Sequence, residues 1–156
     1  MDLYSLFRIT HSYWRWAVLI AAAVVLLRAV IGVTSRGPWT RADERWARMF
    51  VSAVDLQFLL GVILYFGFSP FFTAIRVSFR ETMQSPVARF FGIEHGVAAL
   101  IALAVAHMGW VKAKRATAPE RKHKIMMITL LIFVVLTAWI TPWPWRVMGR
   151  PLFPIP

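Results

Sequence analysis

Hydrophobic and polar positions along this chain alternate in long blocks. Four apolar runs, at about 3–32, 45–67, 86–114 and 119–141, are separated by short polar stretches. As helices rising ~1.5 Å per residue, each run exceeds the ~30 Å of hydrocarbon in a bilayer. The punctuation agrees. Ser85-Pro86 reads as an N-cap followed by proline at the first helical position, Pro119 opens the fourth run, and Pro142 follows its end at Thr141. Gly32 is read as closing the first helix, ahead of the Gly37-Pro38 loop signal. Between the second and third runs, over 71–84, Phe72, Ile75, Phe79 and Met83 repeat at helical spacing while Arg76 and Arg80 share another face. That pattern predicts a short interfacial helix covering one end of the bundle. The fold class is therefore all-α: an integral-membrane, up-down-up-down four-helix bundle, with residues 1–156 as a single transmembrane domain.

Composition makes lipid the solvent. Hydrophobic residues are 59% of the chain and charged ones 16%, more apolar surface than a soluble core of this size can hide. Asp2 precedes every basic residue and the first run outlasts a signal-peptide core, so it is read as a retained span. The net charge of +11 points to topology and lipid headgroups and not to nucleic acid, because no basic patch accompanies a soluble fold. Residues 36–48 and 112–124 carry ten Lys and Arg, against seven on the opposite side. Those two loops are thus expected in the cytoplasm and both termini in the periplasm. Trp14, Trp16, Trp139, Trp143 and Trp145 would form the outer aromatic belt, and Trp39, Trp46 and Trp110 the inner one.

The chain has no cysteine, which removes disulfides, thiolate-ligated iron–sulfur clusters and covalent haem attachment. No phosphate-binding loop, dinucleotide fingerprint, zinc-protease motif or serine triad is present. The chemistry left is histidine chemistry. His11 and His95 lie at similar depths on the first and third helices, which run parallel and diagonal in such a bundle. Intramembrane ionisable residues are functional candidates by default, and one ligand that takes an imidazole from each of two helices is a haem iron. Arg15, four residues after His11, shares its face and could pair with a haem propionate or a quinone oxygen; Arg89 could do the same. Tyr65 and Thr137 are candidates to line the pocket. The bland alternative makes His11 and His95 half-solvated interfacial histidines, with Arg15 and Glu94 as partners.

His107, twelve residues after His95, is rotated by roughly 120° from it. Its histidine partner for a second haem would be His123, although the Arg-Lys-His-Lys run around His123 reads as solvated. Asp55, central in the second span, is a proton-relay candidate towards a quinone, a partner for His107, or a buried packing residue. Ser52 shares its stripe and Gln57 points to a different side. Gly61/Gly67 and Gly92/Gly96 read as close helix contacts.

His11-Ser12-Tyr13-Trp14-Arg15-Trp16, Asp55-Leu56-Gln57 leading into Leu60-Gly61, Glu94-His95 and Pro142-Trp143-Pro144 together carry a resemblance. The chain resembles small four-helix bacterial integral membrane proteins of the uncharacterised "cytochrome B"-like family over nearly its whole length. The resemblance implies b-type haem, with His11 and His95 as first ligand candidates, and a bacterial inner membrane. The chain lacks the two pairs of similarly spaced histidines of the large respiratory cytochromes b.

The leading expectation is a membrane-embedded b-type cytochrome that carries electrons between quinol and an outer-face partner, as an electron-transfer subunit or a quinol-linked oxidoreductase. The cofactor would be haem b, one or two per chain, with quinone as a further ligand. The alternative is a cofactor-free structural or assembly subunit of a larger membrane complex or homo-oligomer. A small transporter would need a polar path between the faces, for which Asp55 and His107 are a thin basis.

Overall fold

The computed structural model describes residues 2–155, and among them every regular element is helical. Helix α1 spans Leu3–Ser35, α2 Arg41–Phe68, α3 Pro70–Val77, α4 Phe79–Gln84, α5 Pro86–Arg89, α6 His95–Arg115 and α7 Pro119–Ile140. A π-helical turn, Phe90–Glu94, joins α5 to α6, so that Pro86–Arg115 is one continuous span. That span, α1, α2 and α7 are each long and apolar enough to cross a membrane. The chain is a multi-pass membrane protein whose environment is the lipid bilayer. Helix α1 packs on α2 and α7, and α6 packs on α7 and, more loosely, α2. Helices α1 and α6 are therefore diagonal.

Lipid removes the usual reason for large apolar residues to face inward. Ile20, Leu27, Leu59, Leu100 and Val135 point outward, and the packed interfaces are built from small residues that let backbones approach. On α6 the buried stripe is Ala98, Ala102, Ala106, Gly109 and Ala113. A Cβ on Gly109 would collide with Thr129 of α7. Phe50 and Phe133 fill the wider gap between α2 and α7 edge-to-face, with centroids 4.9 Å apart.

Helix ends differ from the sequence expectation where polar side chains reach further than hydropathy shows. Gly32 does not close α1. The helix continues to Ser35 and ends at Arg36, whose φ of 51° is left-handed. Gly32 is glycine because the His123 ring of α7 occupies the place of a Cβ. That same packing corrects the solvated reading of His123, which is buried against Trp39 with Nε2 facing the Pro38 carbonyl at 3.4 Å. Helix α2 begins at Arg41, four residues before the apolar run, because Thr40 and Asp43 form a reciprocal capping box. Buried Asp43 also receives Arg28 Nε at 2.8 Å, pinning the end of α1 to the start of α2.

The interfacial element is two helices instead of one. Ser78 ends α3 and its hydroxyl caps α4 by accepting from the Glu81 N–H. Both lie across the bundle end that holds His11 and His95. Residues 141–155 fold over the same end: Arg15 donates to the Leu152 carbonyl (3.1 Å), Phe153 stacks on Trp16 (5.4 Å), and Arg150 lies over Phe91 (5.2 Å).

Gly109→Ala is expected to cost about 1–3 kcal/mol through overpacking, read as a lower unfolding temperature in detergent. Thr129→Ala in the same chain should recover part of that loss. Equal stability of Gly109→Ala and the wild type would contradict the close α6–α7 packing.

Candidate functional site

The end of the bundle covered by α3, α4 and residues 141–155 is hollow. A cavity of about 640 Å³ lies between α1, α2, α6 and α7, within the roughly 300–1,000 Å³ usual for ligand sites. His11 and His95 both line it, as do Arg8, Arg15, Gln57, Gly61, Tyr65, Gly96, Thr137 and Arg150. The remaining wall is largely aliphatic and aromatic.

The π-turn sets His95. The Arg89–Glu94 ion pair, Nε to Oε1 at 2.7 Å, joins residues five apart, a spacing that the wide π-turn brings onto one side. Tyr65 donates to the Gly92 carbonyl at 2.6 Å, tying α2 to the π-turn. Gly92 carries no side chain because Ile75 of α3 presses on it, with its methyl 2.9 Å from where a Cβ would stand. One residue beyond the turn, His95 Nδ1 donates to the Ile140 carbonyl at 2.9 Å. Nδ1 then holds the hydrogen and Nε2 keeps its lone pair, the state of a metal-ligating histidine.

His11 is held from one side only. The Gln57 amide donates to its Nε2 at 3.2 Å, and its Nδ1 is buried with no partner. Gly61 lets the ring lie against α2, since a Cβ there would stand 3.3 Å from Cε1. The two imidazole centroids are 6.3 Å apart. The two ring planes are inclined at 64°, and the pair would hold a metal-centred group only between α1 and α6.

Five buried side-chain polar atoms lack a partner among the described residues: Arg8 Nε, His11 Nδ1, Arg15 Nε, Gln57 Oε1 and His123 Nδ1. The first four belong to residues that line the cavity. Each such orphan costs about 1–3 kcal/mol, and a ligand that offers partners removes that cost. No group of three or more His, Cys, Asp or Glu able to hold a bare metal ion occurs among the described residues. Two imidazoles suit instead a macrocycle that brings its own four nitrogens.

The other expected residues go elsewhere. Arg89 is engaged by Glu94 and the Met83 carbonyl and does not line the cavity. His107 neither lines it nor meets His123. Its Nε2 bonds Asp55 Oδ1 at 2.6 Å on the outer surface of α2 and α6. The structure does not bring His107 and His123 together, because His123 packs against Gly32 of α1 and Trp39. Of the roles open to Asp55 the structure shows the pairing with His107, on a half-exposed surface, while Gln57, on a different side of α2 as expected, enters the site. Gly96 is no helix contact: a Cβ there would meet nothing within 4 Å. Sequence reading missed Arg8, although it precedes His11 by three residues and Arg15 follows by four, so all three share one helical face.

No protein-family model, curated protein or solved structure matches this chain. The site stands on its own geometry.

Gly96→Phe should fill the cavity without disturbing the helices, leaving helicity and unfolding temperature unchanged. Titrated with haemin and followed by Soret absorbance, the wild type is expected to bind and this variant to fail. Equal uptake by both would place the ligand elsewhere.

Proposed function

We propose that this protein is a membrane-embedded b-type cytochrome with one haem between α1 and α6, carrying electrons between quinol in the bilayer and a partner at the outer face. The observation that carries this reading is the His11–His95 pair, with ring centres 6.3 Å apart in a cavity lined by residues that keep unpartnered buried polar atoms, Arg8, Arg15 and Gln57 among them. His95 would contribute Nε2, held in orientation by the Ile140 carbonyl, and His11 the opposing imidazole. Arg8 and Arg15 supply charge for two propionates, with Arg150 at the same mouth. The apolar wall excludes water, and α3, α4 and residues 141–155 separate the site from the outer aqueous phase. When bound, the group supplies one-electron exchange at iron, with a potential set by its axial ligands and neighbouring charge.

The resemblance to small bacterial "cytochrome B"-like proteins supports the same reading and a location in the inner membrane. The excess of Lys and Arg in residues 36–48 and 112–124 supports a periplasmic location for the cavity end and both termini.

A reduced-minus-oxidised visible spectrum of the detergent-purified protein tests the proposal. A sharp α-band is expected, lost in both His11→Ala and His95→Ala. Arg15→Gln should keep the band and lower the midpoint potential, because a nearby cation favours the less positive ferrous state. A colourless wild type from cells well supplied with haem, or a band unchanged in both histidine variants, would sink the reading.

A further inference from the structure

The polar pair outside the cavity ties α2 to α6, but from their exposed side. Asp55 and His107 are 50% and 47% exposed, on helices that cross the bilayer. Asp55 lies about 10 Å along α2 from Arg48, and His107 about 8 Å along α6 from Lys112. The pair therefore faces hydrocarbon a turn or two below the headgroups on the side of residues 36–48. Polar groups facing lipid are expensive, and turning Asp55 and His107 outward forgoes burial inside the bundle.

The free atoms define what would cover them. With the imidazole neutral and Asp55 ionised, Nε2–H donates to Oδ1. Oδ2 and Nδ1 then remain as acceptors with no partner among the described residues. The site calls for a donor dissolved in lipid. Phospholipid phosphates are acceptors and lie at the surface. A second copy would have to supply a donor from its own lipid-facing surface, where Ile20, Leu27, Leu59, Leu100 and Val135 offer none. A hydroxyl on a flat apolar ring meets the requirement, and exposed Leu56, Leu100 and Ala104 give the ring a shallow apolar bed beside the pair.

We propose that the Asp55–His107 pair is the docking site for a lipid-dissolved hydroquinone, whose hydroxyl proton passes to His107 Nδ1. The O–H bond breaks and an N–H bond forms. The resulting imidazolium is held by the Asp55 carboxylate, as in a His–Asp dyad, and the proton can leave towards the face that carries Arg48 and Lys112. This rests on the electron-carrying reading for its purpose, and Asp55 lies only two residues, about 3 Å of helix rise, from the Gln57 that touches His11.

The test is equilibrium binding of a radiolabelled, decyl-tailed benzohydroquinone to the full chain in phosphatidylcholine nanodiscs. Wild type and His11→Ala are expected to bind alike, while Asp55→Asn and His107→Gln should bind about tenfold more weakly or worse. Ala104→Phe leaves the pair intact and covers its bed, so it should also abolish binding and carries the test if a dyad variant does not fold. Binding unchanged in the dyad variants and in Ala104→Phe would overturn the proposal. So would binding lost only in His11→Ala, which would place the hydroquinone in the cavity. A wild type that binds none and dimerises through Asp55 would also overturn it, giving the surface to a second copy. Hydroquinone binding by a colourless wild type would sink the haem reading and leave this site standing.

Discussion

Hydrocarbon offers no hydrogen bonds, so a polar group carried into the membrane is satisfied by the protein, satisfied by a ligand, or left at a cost. That constraint orders the whole molecule. Backbone groups are satisfied by helices, and at the Phe90–Glu94 turn the Tyr65 hydroxyl finds its partner in the Gly92 carbonyl. Arg28, Asp43 and Thr40 close their network at one end of the bundle. At the other end the accounts stay open, with four unpartnered buried atoms on residues that line a single cavity.

The packing explains why the cavity can exist. Along α6, alanines and Gly109 draw α7 close and fix that side of the bundle. The opposite seam, between α2 and α6, is loose. Gly96 leaves space there that a side chain would fill, while Gly61 of α2 gives its place to the His11 ring. Small residues thus do two opposite things in one helix: Gly109 admits a neighbouring helix, whereas Gly96 admits nothing and keeps a volume empty.

Much of this was legible in the sequence because lipid imposes a coarse rule. Span number, helix starts at Ser85-Pro86 and Pro119, and the diagonal pairing of His11 with His95 follow from run length and alternation of direction. The rotational phase of α2 did not follow. With lipid outside, hydrophobicity hardly distinguishes the two faces of a span, so the sequence left three roles open for Asp55 and gave no sign that Gln57 meets His11. The π-turn was also hidden, since its cause is the tertiary contact of Tyr65 and Ile75 with Gly92 together with a local ion pair. His123 looked solvated among Arg121, Lys122 and Lys124, and only the absence of a Cβ on Gly32, ninety-one residues earlier, makes room for it.

The segment 141–155 bears on biogenesis. The cavity's walls come from helices that are all synthesised before it. Its cover at that end depends on Leu152 and Phe153, which reach back to Arg15 and Trp16. A chain whose four helices have packed but whose residues 141–155 have not docked has a more open cavity. Docking of that segment narrows the way in and out for any ligand held there. The lifetime of a bound ligand is in this way tied to a strap of turns and prolines and not to the helices that shape its bed.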